Sequence, residues 1–359
     1  MLAAMLARAY WFSGDLERSA ARTELALDIA EAQGLPGPLA AGLRAKGAVL
    51  FSRGHREESF AVMKHALEVA LEHDLAEDAS TCYFLLSDRC FRRDRYAEAL
   101  GYLEESLVLA SKMGSRPLEY GVLAERTYPL FMAGRWDDVV ATTDEFTQEQ
   151  IDSGGVVLSV MQSGVYVHIE RGELDEARRI LSLFSRLDSS TDVQDRNTHL
   201  AVTAALHRAE GRFPEALADG AATIETASTL GLDFQGVKHG VVDALEAALA
   251  LGDTASAHEL LALIDGMAPG IRPPFLEAQA HRFRARMASD AEGLELAARL
   301  FRELEIPFSL GVTLLEHAEL TGSETSRAEA REIFERLGAT PWLERASATA
   351  LQDKSQISA

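Results

Sequence analysis

A chain of 359 residues that is 47% hydrophobic has ample material for a buried core and too much for a disordered polymer. Its formal charge of −21, from 56 acidic against 35 basic residues, repels phosphate backbones and argues against direct nucleic-acid binding. No apolar run approaches the roughly 18 residues of a membrane span, and Cys82 and Cys90, the two cysteines, lie about 12 Å apart along one predicted helix, too far to bridge.

In chain order, the apolar start 1–14 reads as a first helix, since it lacks the basic flank of a secretory signal and carries Arg8 in its middle. From there, helical runs stop at Gly14, Gly54, Asp94, Gly134, Gly172, Gly211 and Gly252, in steps of 40, 40, 40, 38, 39 and 41. A fixed period of this size is the signature of stacked helical hairpins. An aromatic stands three residues before each of the first four stops: Trp11, Phe51, Phe91 and Phe131. Sustained period-two alternation and two-residue hairpin turns are absent, so the class is all-α.

Two columns of small residues run with the stops. Ala7, Gly47, Ser87, Thr127 and Ala204 stand seven before, and Ser19, Ser59, Ala99, Ala177, Ala216 and Ala257 stand five after. Small side chains at matched points let antiparallel helices approach closely. Two after the stop comes a large plug, Leu16, Tyr96, Trp136, Leu174 or Phe213, which Arg56 interrupts, so that turn is expected to be more exposed.

The segments GDLERSA, RYAEAL, GRWDDV, GELDEAR and GRFPEAL, with both small columns, resemble the tetratricopeptide repeat (TPR), clearly over 1–265 and weakly over 275–350. The period is nearer 40 than the family's 34. That length, and AREIFERLGATPWLERA at 330–346, is similar to the repeat regions of bacterial signalling ATPases, maltose-type transcription activators and multidomain adenylate cyclases. The resemblance implies a right-handed α-solenoid of about nine antiparallel hairpins over 1–351, with degenerate repeats from about 275 and a flexible tail at 352–359. Loop chemistry marks 34–38, 152–155, 188–197 and 268–274, the last a candidate bend. An eighth hairpin is expected around Asp290 and a ninth around Gly322.

The chemistry-bearing motifs are missing. No phosphate-cradling glycine loop, H-E-x-x-H or nucleophile elbow occurs. His65/His73 and His199/His207 are spaced i, i+8, wrong for a shared metal, and His168 and His207 occupy a packing column, as partly buried structural histidines. The acidic pairs Glu57–Glu58, Glu104–Glu105 and Asp137–Asp138 read as solvated faces. The expectation is a non-enzyme with no catalytic residue, metal or cofactor.

In the TPR family the first helix of each hairpin lines the concave groove. Carried onto this chain, the groove set is Arg8, Trp11, Phe12, Arg44, Phe51, Phe84, Asp88, Phe91, Arg92, Tyr128, Phe131, Tyr166 and Arg208. The aromatics either form a binding stripe or pack as core between hairpins, with core favoured; Arg8, Arg44, Arg92 and Arg208 are expected to face solvent. The leading expectation is a cytoplasmic scaffold for a protein or peptide in its groove, acting in bacterial signalling or transcriptional regulation, with neither nucleic acid nor membrane as partner. The alternatives are the regulatory C-terminal arm of a larger ATPase or cyclase, favoured by a Met1 that lies inside a repeat helix, and a small-molecule sensor. The sensor predicts a closed pocket lined by first-helix aromatics, where the scaffold predicts an open groove.

Overall fold

The computed structural model describes residues 1–147 and 158–357, the side chains of 349–357 excepted; the expected loop at 152–155 and the end of the expected tail, 358–359, lie outside the described residues. Among the described residues all regular structure is helical. The helices are α1 Leu2–Phe12, α2 Leu16–Gln33, α3 Pro36–Ser52, α4 Arg56–Glu72, α5 Ala76–Arg92, α6 Tyr96–Met113, α7 Arg116–Met132, α8 Trp136–Asp144, α9 Leu158–Arg171 and α10 Leu174–Leu183. They continue as α11 Val193–Ala209, α12 Phe213–Glu225, the single turn α13 Ala227–Leu230, α14 Gln235–Leu251, α15 Thr254–Asp265, α16 Pro274–Ala288, α17 Ala291–Glu303, α18 Pro307–Thr321, α19 Glu324–Leu337 and α20 Thr340–Ile357. No described helix is long and apolar enough to cross a membrane.

Each of the seven stops separates two helices and adopts left-handed backbone, with φ from 58° at Asp94 to 84° at Gly54. A second set, Gly34, Asp74 and Gly114, does the same between hairpins. The forty-residue beat is thus two half-beats of twenty, and the expected loop at 34–38 is short, with Pro36 already opening α3. Helix starts use side-chain caps at Asp15, Asp192, Asp253 and Ser323. The hairpins expected around Asp290 and Gly322 form as α16–α17 and α18–α19, the first turning at a left-handed Ser289.

The small columns meet as expected and add a bond. Ser19 Oγ donates to the Ala7 carbonyl at 2.8 Å, and Ser59 Oγ to the Gly47 carbonyl at 2.7 Å. Each serine of one column therefore ties the helix carrying the other. Where alanine replaces serine, as at Ala177 and Ala216, the side chain is fully buried.

The residues fall into two compact units. Unit 1 comprises Met1–Cys90 and Ala97–Val122; unit 2 comprises Phe91–Tyr96 and Leu123–Ala359. In unit 1 the turn before Arg56 is exposed from Ser52 to His55, as expected, while the Arg56 guanidinium lies 3.5 Å from the Phe51 ring centroid and Arg89 lies 3.9 Å from the same ring. A cation over a ring fills the place a hydrophobic plug holds elsewhere. Both cysteines are buried and free, and burial pushes the Cys82 thiol up to about 11 against the pull of Arg44.

Candidate ligand site

The site lies in unit 2. Its hairpins turn their first helices inward, and seven of these, α7, α9, α11, α14, α16, α18 and α20, contribute to one cavity of about 70 Å³. Phe131 comes from α7, Tyr166 and Glu170 from α9, Arg208 from α11, and His239, Asp243 and Glu246 from α14. Phe275, Gln279 and Arg282 come from α16, Phe308 and Ser309 from α18, and Trp342 from α20. One water needs about 10–15 Å³ by this measure, so the space holds on the order of five.

The apolar wall is aromatic. Phe131 stacks on Tyr166 at 5.5 Å with 15° between planes. His239 lies 4.7 Å from Tyr166, 5.9 Å from Phe131 and 5.7 Å from Phe275. Phe308 meets Trp342 edge-on at 5.5 Å. These are the offset and edge geometries that ring quadrupoles prefer.

The polar wall is a ladder of alternating charge. Arg208 donates to Glu170 at 2.8 Å and to Asp243 at 2.7 Å. Arg282 reaches Glu246 and Glu316, each at 2.6 Å, and Arg286 joins the same two carboxylates at 2.7 and 3.2 Å. Trp342 Nε1 donates to the second oxygen of Glu170 at 2.8 Å, which ties α20 to α9. Each guanidinium is bracketed by carboxylates from neighbouring hairpins, the arrangement a buried charge requires.

Burial raises the Asp243 carboxyl to about 6; Arg208 opposes this, while Glu170 and Glu246 add to it. Burial also lowers His239 to about 3, helped by the charges of Lys238 and Arg208, so its ring is neutral. Glu246 is held well below the carboxylate range, because Arg282 and Arg286 outweigh its burial. Among the described residues, no three His, Cys, Asp or Glu side chains converge as a metal centre would need.

Of the thirteen groove residues, unit 2 brings Phe131, Tyr166 and Arg208 to the cavity. Phe91 and Tyr128 pack together behind it at 5.6 Å, with Tyr128 fully buried. Arg44, Arg92 and Arg208 depart from the solvent-facing expectation, each with less than a fifth of its side chain exposed. Arg92 pairs with Asp233 at 2.8 Å and donates to the Leu230 carbonyl, while Arg208 is held as above. The reason is that each guanidinium is largely covered by neighbouring helices, so it must be neutralised by protein groups.

The other members lie in unit 1. Arg8 and Phe12 are exposed and adjacent, 5.4 Å apart. Trp11 donates to Ser52 Oγ, Arg44 pairs with Asp78, Phe51 lies between its two arginines, Phe84 is exposed, and Asp88 pairs with Arg89.

Sequence reasoning missed His239, Phe275, Phe308, Trp342 and the acidic members. A signal was present: Glu170, Arg208, Glu246, Arg282 and Glu316 alternate in sign at steps of 38, 38, 36 and 34 residues. That is an inter-hairpin ladder written at the repeat period.

No family model matches the chain, and no curated protein matches it in sequence. Among solved structures, the chain is similar to a human IFIT1 dimer with m7Gppp-AAAA, with a TM-score of 0.52 at 14% identity, covering 96% of this chain and 80% of that one. A monomeric mutant of IFIT1 with Gppp-AAAA gives a TM-score of 0.50 at 14% identity, covering 96% and 79%. Likeness at that identity shows the fold, an all-α TPR-like helical repeat.

Proposed function

We propose that the chain is a non-enzymatic helical-repeat module that receives a small organic ligand in the unit 2 cavity and acts as the sensing arm of a regulatory system. The observation that carries this reading is the convergence of seven first helices on one aromatic-walled, ion-paired cavity. A helix or extended peptide needs an open trough. A space for about five waters suits a small molecule or headgroup instead. For unit 2 we therefore favour the sensor alternative over the groove. The bacterial signalling or transcriptional setting, and a parent ATPase or cyclase, rest on the repeat resemblance.

The RNA in the IFIT1 structures transfers poorly to this cavity. Its lining carries Glu170, Asp243 and Glu246 against Arg208 and Arg282, an excess of carboxylate that repels a phosphate chain.

Thermal unfolding against separate panels of organic cations, polyols and carboxylates tests the reading. A ligand that binds the folded state raises the midpoint. Val242, half-buried on the cavity wall, gives the control: Val242→Trp fills the space. Stabilisation of the natural chain and not of the variant supports the proposal. Equal stabilisation of both places the ligand elsewhere and contradicts it.

A further inference from the structure

We infer that the cavity selects a small organic cation, an ammonium group carried on a short apolar body. This rests on the reading of the cavity as a ligand site and adds the chemical class. Two independent observations point to it.

The first is charge. The network around the cavity holds four carboxylates, Glu170, Asp243, Glu246 and Glu316, against three guanidiniums, Arg208, Arg282 and Arg286. The further pair Arg345–Glu319, next to Trp342, is neutral as a unit. Since His239 carries no charge near neutral pH, the wall is left with one net negative charge. The two arginines on the lining do not reverse this locally, because Arg208 and Arg282 are each clasped by two carboxylates.

The second is the aromatic wall. Phe131, Tyr166, Phe275, Phe308 and Trp342 present rings to the same space. Ring faces attract a cation by about 0.5–2 kcal/mol each site, more where water is excluded. Carboxylates and aromatic rings lining one space are the pairing that recognises an ammonium group with methyl or methylene bulk. The room for about five water-sized groups matches the five heavy atoms of a tetramethylammonium-like centre.

The cation would also complete the ladder electrically. Its arrival stabilises the ionised form of Asp243, so binding releases a proton and weakens as the pH falls below about 6.

The test is calorimetric titration of the full chain with choline, with its neutral carbon isostere 3,3-dimethyl-1-butanol, and with propionate as an anion. The expected result is choline binding at least tenfold tighter than the isostere and no response to propionate. Glu170→Gln keeps the size and the acceptor for Trp342 but deletes a charge; it should weaken choline about tenfold and leave the isostere unchanged, with helical circular dichroism unaltered. Isostere binding as tight as choline, or tighter propionate, overturns the cation inference while leaving a ligand site standing. No heat from any of the three overturns the cation inference, and the absence of thermal stabilisation by every panel as well overturns both.

Discussion

Lys238 Nζ lies 2.5 Å from Asp94 Oδ1, with neither side chain exposed to solvent. The same ammonium donates to the Phe91 carbonyl, Tyr96 donates to Asp94 Oδ1, and the Phe275 backbone N–H donates to Asp94 Oδ2. Here lies the reason that one stop in seven is not glycine. Asp94 takes the left-handed φ of 58° that an L-residue adopts at a cost of about 1–2 kcal/mol, and in return its carboxylate pins residues 144 and 181 positions away. Asp94→Gly would restore the repeat's own residue and relieve the backbone, yet strand a buried ammonium. Equilibrium denaturation should show it destabilised by about 3 kcal/mol, the typical 3–5 kcal/mol of a broken buried pair less the backbone relief. Asp94→Gly combined with Lys238→Met should recover more than half of that loss.

His239 and Asp243 occupy one face of α14 and titrate with opposite sign. His239 falls from 6.5 to about 3, so its contribution to stability is present above pH 6.5 and is lost as the pH falls toward 3. Asp243 rises from 3.8 to about 6, so its contribution is present below pH 3.8 and is lost as the pH rises through 6. Subtracting the stability of Asp243→Asn from that of the natural chain should give a difference that declines between pH 4 and 6 by on the order of 3 kcal/mol. His239→Phe should show the reverse, with less acid destabilisation than the natural chain between pH 6.5 and 3. Urea midpoints across the pH range check both.

Glycines of the stop column are not equivalent. A Cβ at Gly134 would fall 2.5 Å from Pro307 Cγ and 3.0 Å from Leu337 Cδ2, whereas one at Gly14 meets nothing within 4 Å. Gly14→Ala should cost only the left-handed backbone, about 1–2 kcal/mol. Gly134→Ala should cost at least about 1 kcal/mol more, since overpacking adds to it. Thermal melts of the two variants side by side decide this.

Phe91 distinguishes core from groove within the aromatic column. It is 5% exposed and packs edge-on against Tyr128. Phe91→Ala should destabilise by about 3–5 kcal/mol with loss of cooperativity. A variant that kept its melting midpoint would restore Phe91 to a binding role.

The turns, hairpins and small columns were legible because each rests on a local demand: a left-handed residue, a close helix approach, a plug. Asp94 was visible as an exception, but its cause was not, since Lys238 and Phe275 are far away in sequence. The cavity was half legible. Phe131, Tyr166 and Arg208 followed from the first-helix register, while His239, Phe275, Phe308 and Trp342 depend on how tightly unit 2 brings its first helices together. Curvature is a sum of small rotations between hairpins, which no single repeat encodes. Packing of neighbouring helices likewise turned Arg44, Arg92 and Arg208 from expected surface groups into largely buried partners.

Ligand entry into the unit 2 cavity can be read at a single methyl group. Met132 lies on the cavity lining, whereas Met5 and Met63 belong to unit 1. The most direct measurement is methyl NMR of the methionine-labelled chain, with Met132 assigned by Met132→Leu, during titration with choline and then with the cation, polyol and carboxylate panels. Binding in the cavity should give a saturable shift of the Met132 methyl with Met5 and Met63 unmoved. Shifts at the unit 1 methyls alone, or a Met132 signal indifferent to every panel, would contradict it.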